Sequence, residues 1–240
     1  MACDRVDLVT VDTRVASVAG TVYSTDPHRA EGVDSNSYII KGPDPEVVFA
    51  ELAGCVMAYE VGLGVPDVAI CHFDGQRFAG SKKCEIRDVT PWLKRPQKIQ
   101  NIVDLYRIIV VDTWLANFDR NMGNIVAQCS RRDEIRLLFI DFEKSTALHP
   151  NPLTSCAVVK PQSLWPSGEL GQYLLRSKPL VPPTEIVERI NGFDEDDCRG
   201  IIGPIERQLN GVTWADHCAG ALSRRARQIK TLLEEVWDSN

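Results

Sequence analysis

The feature that most constrains the fold is an apolar stretch, residues 99–115, followed by a polar loop and two short apolar runs. The stretch is apolar on nearly every face of a helix, which is typical of a helix buried among other elements. The loop covers residues 117–124, and the apolar runs cover residues 125–129 and 135–140. The polar residues between the runs indicate a turn. We therefore predict a buried helix, a loop and a β-hairpin in succession.

Three polar side chains lie near the open end of this predicted hairpin. If its turn is centred between Arg132 and Asp133, then Asn124 faces Asp141 across the antiparallel ladder, and Asp119 lies in the adjoining loop. Amide and carboxylate oxygens suit Mg²⁺, which also takes phosphate oxygens. An Asp, an Asn five residues later and a downstream Asp-Phe match the order used in kinase phosphoryl transfer. In that arrangement Asp119 is the base, and Asn124 and Asp141 bind the metal.

A cation for the nucleotide phosphates is predicted in the first part of the chain. Lys41 ends a short strand of sequence SYIIK. The helix that follows has Asp44 as its N-cap, Pro45 as its first residue and Gly62 as its stop. Glu51 falls on an apolar face of this helix, where an unpaired charge would be costly. We expect Lys41 to be its partner.

The organisation of the chain changes along its length. The 240 residues carry a net charge of −6, and 44% of them are hydrophobic, as in ordinary folded domains. We predict an α+β, two-lobed fold. Residues 1–88 would form an N-terminal lobe with a small antiparallel sheet, one helix and a phosphate loop within residues 21–35. Residues 89–240 would form a mainly helical C-terminal lobe that holds the catalytic loop and the metal-binding hairpin.

Charge and hydropathy restrict the partners and the location. No run approaches the ~20 apolar residues that span a bilayer. The first residues are acidic where a secretory signal would be basic, so we expect a cytoplasmic protein with no membrane partner. The acidic balance argues against direct nucleic-acid binding. The eight cysteines form no C-x-x-C pair, which favours buried free thiols.

Four segments resemble the compact HipA-like kinase domains and, more distantly, the phosphatidylinositol 3/4-kinase group. They are YIIKG, AELAGCVMAYEVGLGVP, DTWLANFDRNMGN and LFIDFEKS. The resemblance covers roughly residues 15–236. It implies a protein-kinase-like fold, ATP and Mg²⁺ as cofactors, and transfer of the γ-phosphoryl group to a hydroxyl, with a Ser or Thr of a protein as the favoured acceptor.

The same resemblance assigns roles to individual residues. By carry-over, Lys41 contacts the phosphates, Glu51 pairs with it, Asp119 is the base, and Asn124 and Asp141 are the metal ligands. HipA relatives often work as toxins held by a partner protein. An antitoxin-like or regulatory protein partner is therefore a further expectation.

The chain departs from the kinase pattern at three places. No G-x-G-x-x-G precedes Lys41, and Asn121 stands where the D-R-H pattern has its His. Glu143 follows Asp141-Phe142, where a D-F-G segment has Gly. Because all five residues needed for the chemistry are present, we predict an active enzyme.

Several alternatives stay open at this point. A small-molecule kinase on the same fold is one, although residues 145–180 carry no acidic cluster that would capture a cationic metabolite. A nucleotide-binding module of toxin–antitoxin type, without turnover, is another. Arg120 either stabilises transferred charge or ties its loop to a carboxylate such as Asp112, and the second role is favoured.

Overall fold

The computed structural model describes residues 3–14, 27–83, 86–129, 134–150, 166, 168–177, 179–209, 211 and 213–238. Its first part is a closed barrel of five strands in the order β1-β2-β3-β5-β4. The strands are β1 (Asp4–Arg14), β2 (His28–Gly32), β3 (Ser37–Lys41), β4 (Val68–Phe73) and β5 (Gln76–Lys82). Helix α1 (Pro45–Glu60) connects β3 to the segment before β4.

The barrel differs from the predicted antiparallel sheet in one pairing. β1 and β4 run parallel, with Asp4 beside Ala69 and Asp7 beside His72, whereas the other pairs are antiparallel. This pair joins strands that are distant in the chain, so no local pattern indicates it. In addition, β2 lies inside the predicted phosphate loop, of which residues 21–26 fall outside the described residues.

Helix α1 has the ends predicted for it. Asp44 Oδ1 accepts a hydrogen bond from Glu46 N at 2.9 Å, and Pro45 is the first helical residue. The chain leaves the helix at Gly62, whose φ of 91° suits glycine. All residues from Val48 to Ala58 are buried. Because it is enclosed on every side, α1 is a fixed support for the acidic side chain that it carries.

A second sheet contains β6 (Ile86–Asp88), β7 (Ile125–Cys129) and β8 (Ile135–Phe139), in that order. Strands β7 and β8 form the predicted hairpin, but its register is shifted by one residue. Cys129 pairs with Ile135, so an odd number of residues separates the last pair, whereas the prediction assumed an even number. As a result, Asn124 meets Ile140 rather than Asp141, and Ile140 N donates to Asn124 O at 3.1 Å.

The rest of the described chain is mainly helical. Its helices are α2 (Thr90–Leu93), α3 (Asp104–Leu115), α4 (Gly168–Arg176), α5 (Thr184–Asn191), α6 (Glu195–Gln208), α7 (Ala215–Arg227) and α8 (Ile229–Asp238). Gln228 separates α7 from α8.

The buried helix α3 begins later than its apolar pattern predicts. The Asn101 side chain bonds both backbone groups of Leu137, accepting from its N at 2.8 Å and donating to its O at 3.0 Å. Ile99 also bridges Ile135. Residues 99–101 are therefore held beside β8 and cannot join the helix, which starts at Asp104.

The core has a small part inside the barrel and a large part that joins α1, α3, the hairpin and the C-terminal helices. Helix α1 packs against both β5 and α6, so it links the barrel to the helical part. The described cysteines are free thiols, as predicted, and all but Cys3 and Cys129 are buried. Among the described helices, none has the length and apolarity needed to cross a bilayer.

Candidate active site

Lys41 lies among three carboxylates. Its Nζ is 2.8 Å from Asp141 Oδ1, 3.4 Å from Glu51 Oε2 and 3.4 Å from Glu143 Oε2. Strand β3 supplies the lysine, α1 supplies Glu51, and the segment after β8 supplies the other two acids. The Lys41 side chain is only 11% exposed, and Glu51 and Glu143 are buried. The contact between Lys41 and Glu51 is the one that the sequence predicts.

The charges of this cluster do not cancel. Burial alone would lower the pKa of Lys41, but the three carboxylates outweigh it and hold that pKa above its ordinary value. Burial raises the pKa of Glu51, while the Lys41 ammonium acts in the opposite direction. Even with Lys144, whose Nζ lies 3.5 Å from Glu143, the three acids leave a formal excess of one negative charge, which a divalent cation would offset.

Glu51 also fixes the backbone that carries Asp141. Its Oε1 accepts a hydrogen bond from Asp141 N at 3.3 Å, and its Oε2 accepts one from Phe142 N at 2.8 Å. Phe142 is buried against Gly54, and a β-carbon added at Gly54 would overlap its ring and Cβ. Asp141 has a φ of 67°, in the left-handed region. Helix α1 therefore contacts both residues of the Asp-Phe segment and holds the segment in place.

A buried ion pair supports the loop after α3. Arg120 Nε lies 2.9 Å from Asp112 Oδ2, and Arg120 Nη2 lies 3.0 Å from Asp112 Oδ1. Its Nη1 donates to the backbone oxygens of Asn124 and Ile140. The centre of the guanidinium is 4.9 Å from the centre of the Phe142 ring. Arg120 is thus tied to Asp112, as predicted. It also joins the loop to the residue before β7 and to the residue after β8.

Asp119 is half-buried in a loop that asparagines hold in place. Its backbone oxygen accepts hydrogen bonds from Asn124 Nδ2 at 2.7 Å and from Asn121 Nδ2 at 3.1 Å, and its N donates to Asn117 Oδ1 at 3.3 Å. Burial, followed by the charge of Asp141, raises the pKa of the Asp119 carboxyl above its ordinary value. A raised carboxyl pKa, closer to neutral pH, suits a proton acceptor.

Two solved structures are similar to this chain over nearly its whole length. The chain is similar to the Helicobacter pylori proinflammatory kinase CtkA, with a TM-score of 0.56 and 12% identity over 98% of this chain and 99% of that one. It is also similar to HipA of the Shewanella oneidensis MR-1 toxin–antitoxin system, solved with HipB and operator DNA. For HipA the TM-score is 0.50 and the identity 12%, over 94% of this chain and 67% of that one.

The chain has a HipA-like protein-kinase fold. No protein-family model and no curated protein sequence matches it. Because the identities to these two solved proteins are only 12%, the likeness establishes the fold, and the chemistry has to be argued from the site.

Sequence reasoning gave no role to Glu143 or Lys144, which lie beside this cluster. Lys144 Nζ lies 3.5 Å from Glu143 Oε1, while the other oxygen of that carboxylate faces Lys41. Glu143 therefore lies between two ammonium groups. The Lys144 side chain is 38% exposed, and its charge lowers the pKa of nearby Asp119. The sequence places Glu143 and Lys144 directly after Asp141-Phe142. Comparison with a D-F-G segment identified Glu143 only as a departure from glycine.

The donor set of this HipA-like kinase fold suits Mg²⁺. Glu51, Asp141 and Glu143 present carboxylate oxygens within 4.8 Å of one another, and such oxygens are the ligands that Mg²⁺ prefers. Both oxygens of Glu51 accept backbone amides, whereas Asp141 and Glu143 face ammonium groups that a metal ion could replace, so these two are the stronger candidates. Asn124 donates through Nδ2, and no hydrogen bond among the described residues uses its Oδ1. Asp141 and Glu143 therefore lie together as candidate ligands, whereas Asn124 as a ligand of the same metal stays a prediction.

Proposed function

We propose that the chain is a HipA-like, ATP- and Mg²⁺-dependent kinase that transfers the γ-phosphoryl group of ATP to a Ser or Thr hydroxyl of a protein. The observation that supports this most strongly is the meeting of Lys41, Glu51 and Asp141, which come from three separate elements. Burial of such a charged group is costly for stability, and strongly perturbed titratable groups gathered in this way are typical of functional sites.

In this proposal Lys41 binds the nucleotide phosphates, and Glu51 orients its ammonium. Both side chains are nearly enclosed, so their positions are narrowly restricted. Glu51 also accepts a hydrogen bond from the backbone of Asp141. One carboxylate on α1 therefore contacts both the phosphate-binding lysine and the segment that would hold the metal. The raised pKa of Lys41 keeps it positively charged throughout the physiological range.

Transfer requires a metal and a proton acceptor. Asp141 and Asn124 would hold Mg²⁺, with Glu143 beside them, and a bound Mg²⁺ neutralises phosphate charge. Asp119 takes the proton from the acceptor hydroxyl while the oxygen of that hydroxyl attacks the γ-phosphorus. The bond between that phosphorus and the β–γ bridging oxygen breaks, and ADP leaves with the electron pair.

The proposal extends to the lobes, the partners and the location of the protein. Residues 1–88 and 89–240 would act as the two lobes, with the site between them. The HipA structure contains HipB and operator DNA. By analogy we propose an antitoxin-like or other regulatory protein partner for this chain, no direct contact with nucleic acid or membrane, and a cytoplasmic location. Residues 145–180 would form the surface that receives the acceptor, and of these residues 151–165, 167 and 178 lie outside the described part of the chain.

Phosphate transfer tests the proposal directly. The purified protein is incubated with Mg²⁺ and ATP labelled at the γ-phosphate, alone and with lysate proteins, and label on Ser or Thr is measured. Asp119→Ala and Asp141→Ala should each lower the rate by about 100-fold or more. Asp196→Ala, which removes an acid that is 88% exposed, is the control and should leave the rate unchanged.

The outcomes separate the three candidate functions. Transfer that survives both active-site substitutions would rule out the assigned chemistry. Label found on small molecules and not on proteins would favour a small-molecule kinase. Thermal stabilisation by Mg-ATP with no transfer to any acceptor would favour a nucleotide-binding module without turnover.

A further inference from the structure

A cavity of about 370 Å³ lies apart from the cluster around Lys41. It is enclosed by the end of α1, the segment that follows α1, the end of β5 and the outer part of the β7–β8 hairpin. We call it the rear cavity. None of the five residues proposed for the chemistry lines it. It is therefore a separate concave site, of a volume typical of small-molecule binding.

Three cations line the rear cavity. They are Lys82 and Lys83 at the end of β5 and Arg136 on β8, and the lining contains one acid, Asp67. Throughout the ranges that the structure describes, no ion pair engages any of the three cations. Like charges collected in a concave surface reinforce one another and attract an anion. The formal charge of the lining matches that of a phosphate dianion.

Apolar residues also line the rear cavity. Leu63, Val65 and Leu138 are at least 91% buried, whereas Tyr59 is 47% exposed. An inorganic anion would leave the exposed part of Tyr59 in contact with water. A ligand with an apolar or aromatic group beside its charge would cover it and gain the corresponding hydrophobic contribution.

We propose that the rear cavity binds a small molecule that carries a phosphate group next to an apolar or aromatic group. Arg136 offers a planar guanidinium that can hold two phosphate oxygens, and the two lysines add point charges. The binding itself does not depend on the proposed kinase activity.

Such a ligand would contact three elements that hold or adjoin the proposed active site: α1, β5 and the β7–β8 hairpin. Helix α1 holds Glu51, strand β5 pairs with β3 so that Ala79 lies beside Lys41, and the hairpin joins Asn124 to Asp141. A molecule seated among their far ends restrains them relative to one another. If the chain is a kinase, occupancy of the rear cavity is expected to alter its affinity for Mg-ATP, and this last step rests on the proposed function.

Calorimetric titration with phenyl phosphate tests the site. The full chain carrying Asp119→Ala is used, so turnover plays no part, and inorganic phosphate and phenol are titrated for comparison. Phenyl phosphate should bind more tightly than either. Arg136→Gln, and separately Lys82→Gln with Lys83→Gln, should each weaken it by about tenfold. Lys94→Gln with Arg95→Gln removes two exposed cations outside the cavity and should leave the affinity unchanged.

Competition decides where the probe binds. An excess of a non-hydrolysable ATP analogue with Mg²⁺ should not displace phenyl phosphate from the rear cavity. Displacement by the analogue, or an affinity that the Arg136 and lysine substitutions leave unchanged in variants with the wild-type melting temperature, would overturn the proposal. Inorganic phosphate binding as tightly as phenyl phosphate would overturn the assignment of an apolar group to the ligand.

Discussion

At the scale of single residues, the site depends on charged groups that hold one another in place. Arg120 is buried and forms two hydrogen bonds to Asp112, and its remaining donors bond the backbone at both ends of the hairpin. An arrangement of this kind is sensitive to removal of one partner, because the other is then left as an uncompensated buried charge.

Substitution of Arg120 measures that dependence. Arg120→Met should lower the free energy of unfolding by about 3–5 kcal/mol, because it leaves the Asp112 carboxylate buried without its partner. Urea denaturation is the measurement. The double variant Arg120→Met, Asp112→Leu should regain part of the loss, since no unpaired charge remains. A loss below about 1 kcal/mol in the single variant would instead mean that the pair contributes no more than an exposed one.

The acid side of the pH profile reports on Asp119. The carboxylate is the form that accepts a proton, so activity falls as the pH decreases through the pKa of Asp119. Burial and nearby acids raise that pKa, so the fall begins at a higher pH than an ordinary Asp would give. The rate of transfer is measured as kcat/KM against pH.

Two neighbouring substitutions should move this acid limb in opposite directions. Glu143→Gln removes a negative charge that raises the pKa of Asp119, so the limb moves to lower pH. Lys144→Met removes a positive charge that lowers the same pKa, so the limb moves to higher pH. If the acid limb moved in the same direction in both variants, the assignment of Asp119 as the titrating base would be contradicted.

Local signals account for the site residues that the sequence could predict. Lys41 ends a strand with a clear pattern, and Glu51 is an acid on an apolar helix face, so each constrains the other. The contact of Lys41 with Glu143 had no such signal. It follows from the left-handed conformation of Asp141, which redirects the chain just after β8 and which no pattern in the sequence indicates.

At the scale of elements, α1 is the part that organises the site. Its Glu51 and Gly54 lie one turn apart, and the first bonds the Asp-Phe backbone while the second admits the Phe142 side chain. The helix was predictable because its signals are local: an N-cap, a proline at the start and a glycine after its end. The hairpin register and the start of α3 depend on contacts with distant segments, and both predictions were wrong by a small number of residues.

Two glycine substitutions in helices should have opposite effects. Gly54→Ala places a methyl group against Phe142 and should lower the free energy of unfolding by about 1–3 kcal/mol. Gly200→Ala on α6 meets nothing within 4 Å and should raise it by about 0.5–1 kcal/mol, as expected for a helix interior. Denaturant unfolding compares the two variants. Equal stabilisation by both would show that α1 and Phe142 are not in close contact.

At the scale of the whole molecule, the proposed nucleotide would link the barrel to the helical part. Lys41 belongs to the barrel, whereas Asn124 and Asp141 belong to the segment around the hairpin. The overall fold could be predicted because the four sequence segments that resemble HipA-like kinase domains are the ones that carry the residues of this site. The closed barrel could not, because its parallel β1–β4 pair joins residues that no local signal connects.

Thermal stability should therefore depend on nucleotide and metal together. Mg-ATP is expected to raise the melting temperature, because a ligand that binds only the folded state stabilises it. ATP with a chelator should raise it less, since the excess of carboxylates then repels the phosphates. Scanning calorimetry measures both shifts. Lys41→Met, compared with its own ligand-free form, should lose most of the shift, and retention of the full shift would place the nucleotide elsewhere.

The closed barrel also has a consequence for the order in which the chain folds. Residues 4–7 of β1 complete their pairing only with residues 69–72 of β4. During synthesis the ribosome releases β1 well before β4, so residues 4–7 stay hydrogen-bonded to water while β2, β3 and α1 emerge. Contacts this distant in sequence slow folding, because a long loop must close before they form. The strand made first is thus among the last of the barrel to reach its final neighbours.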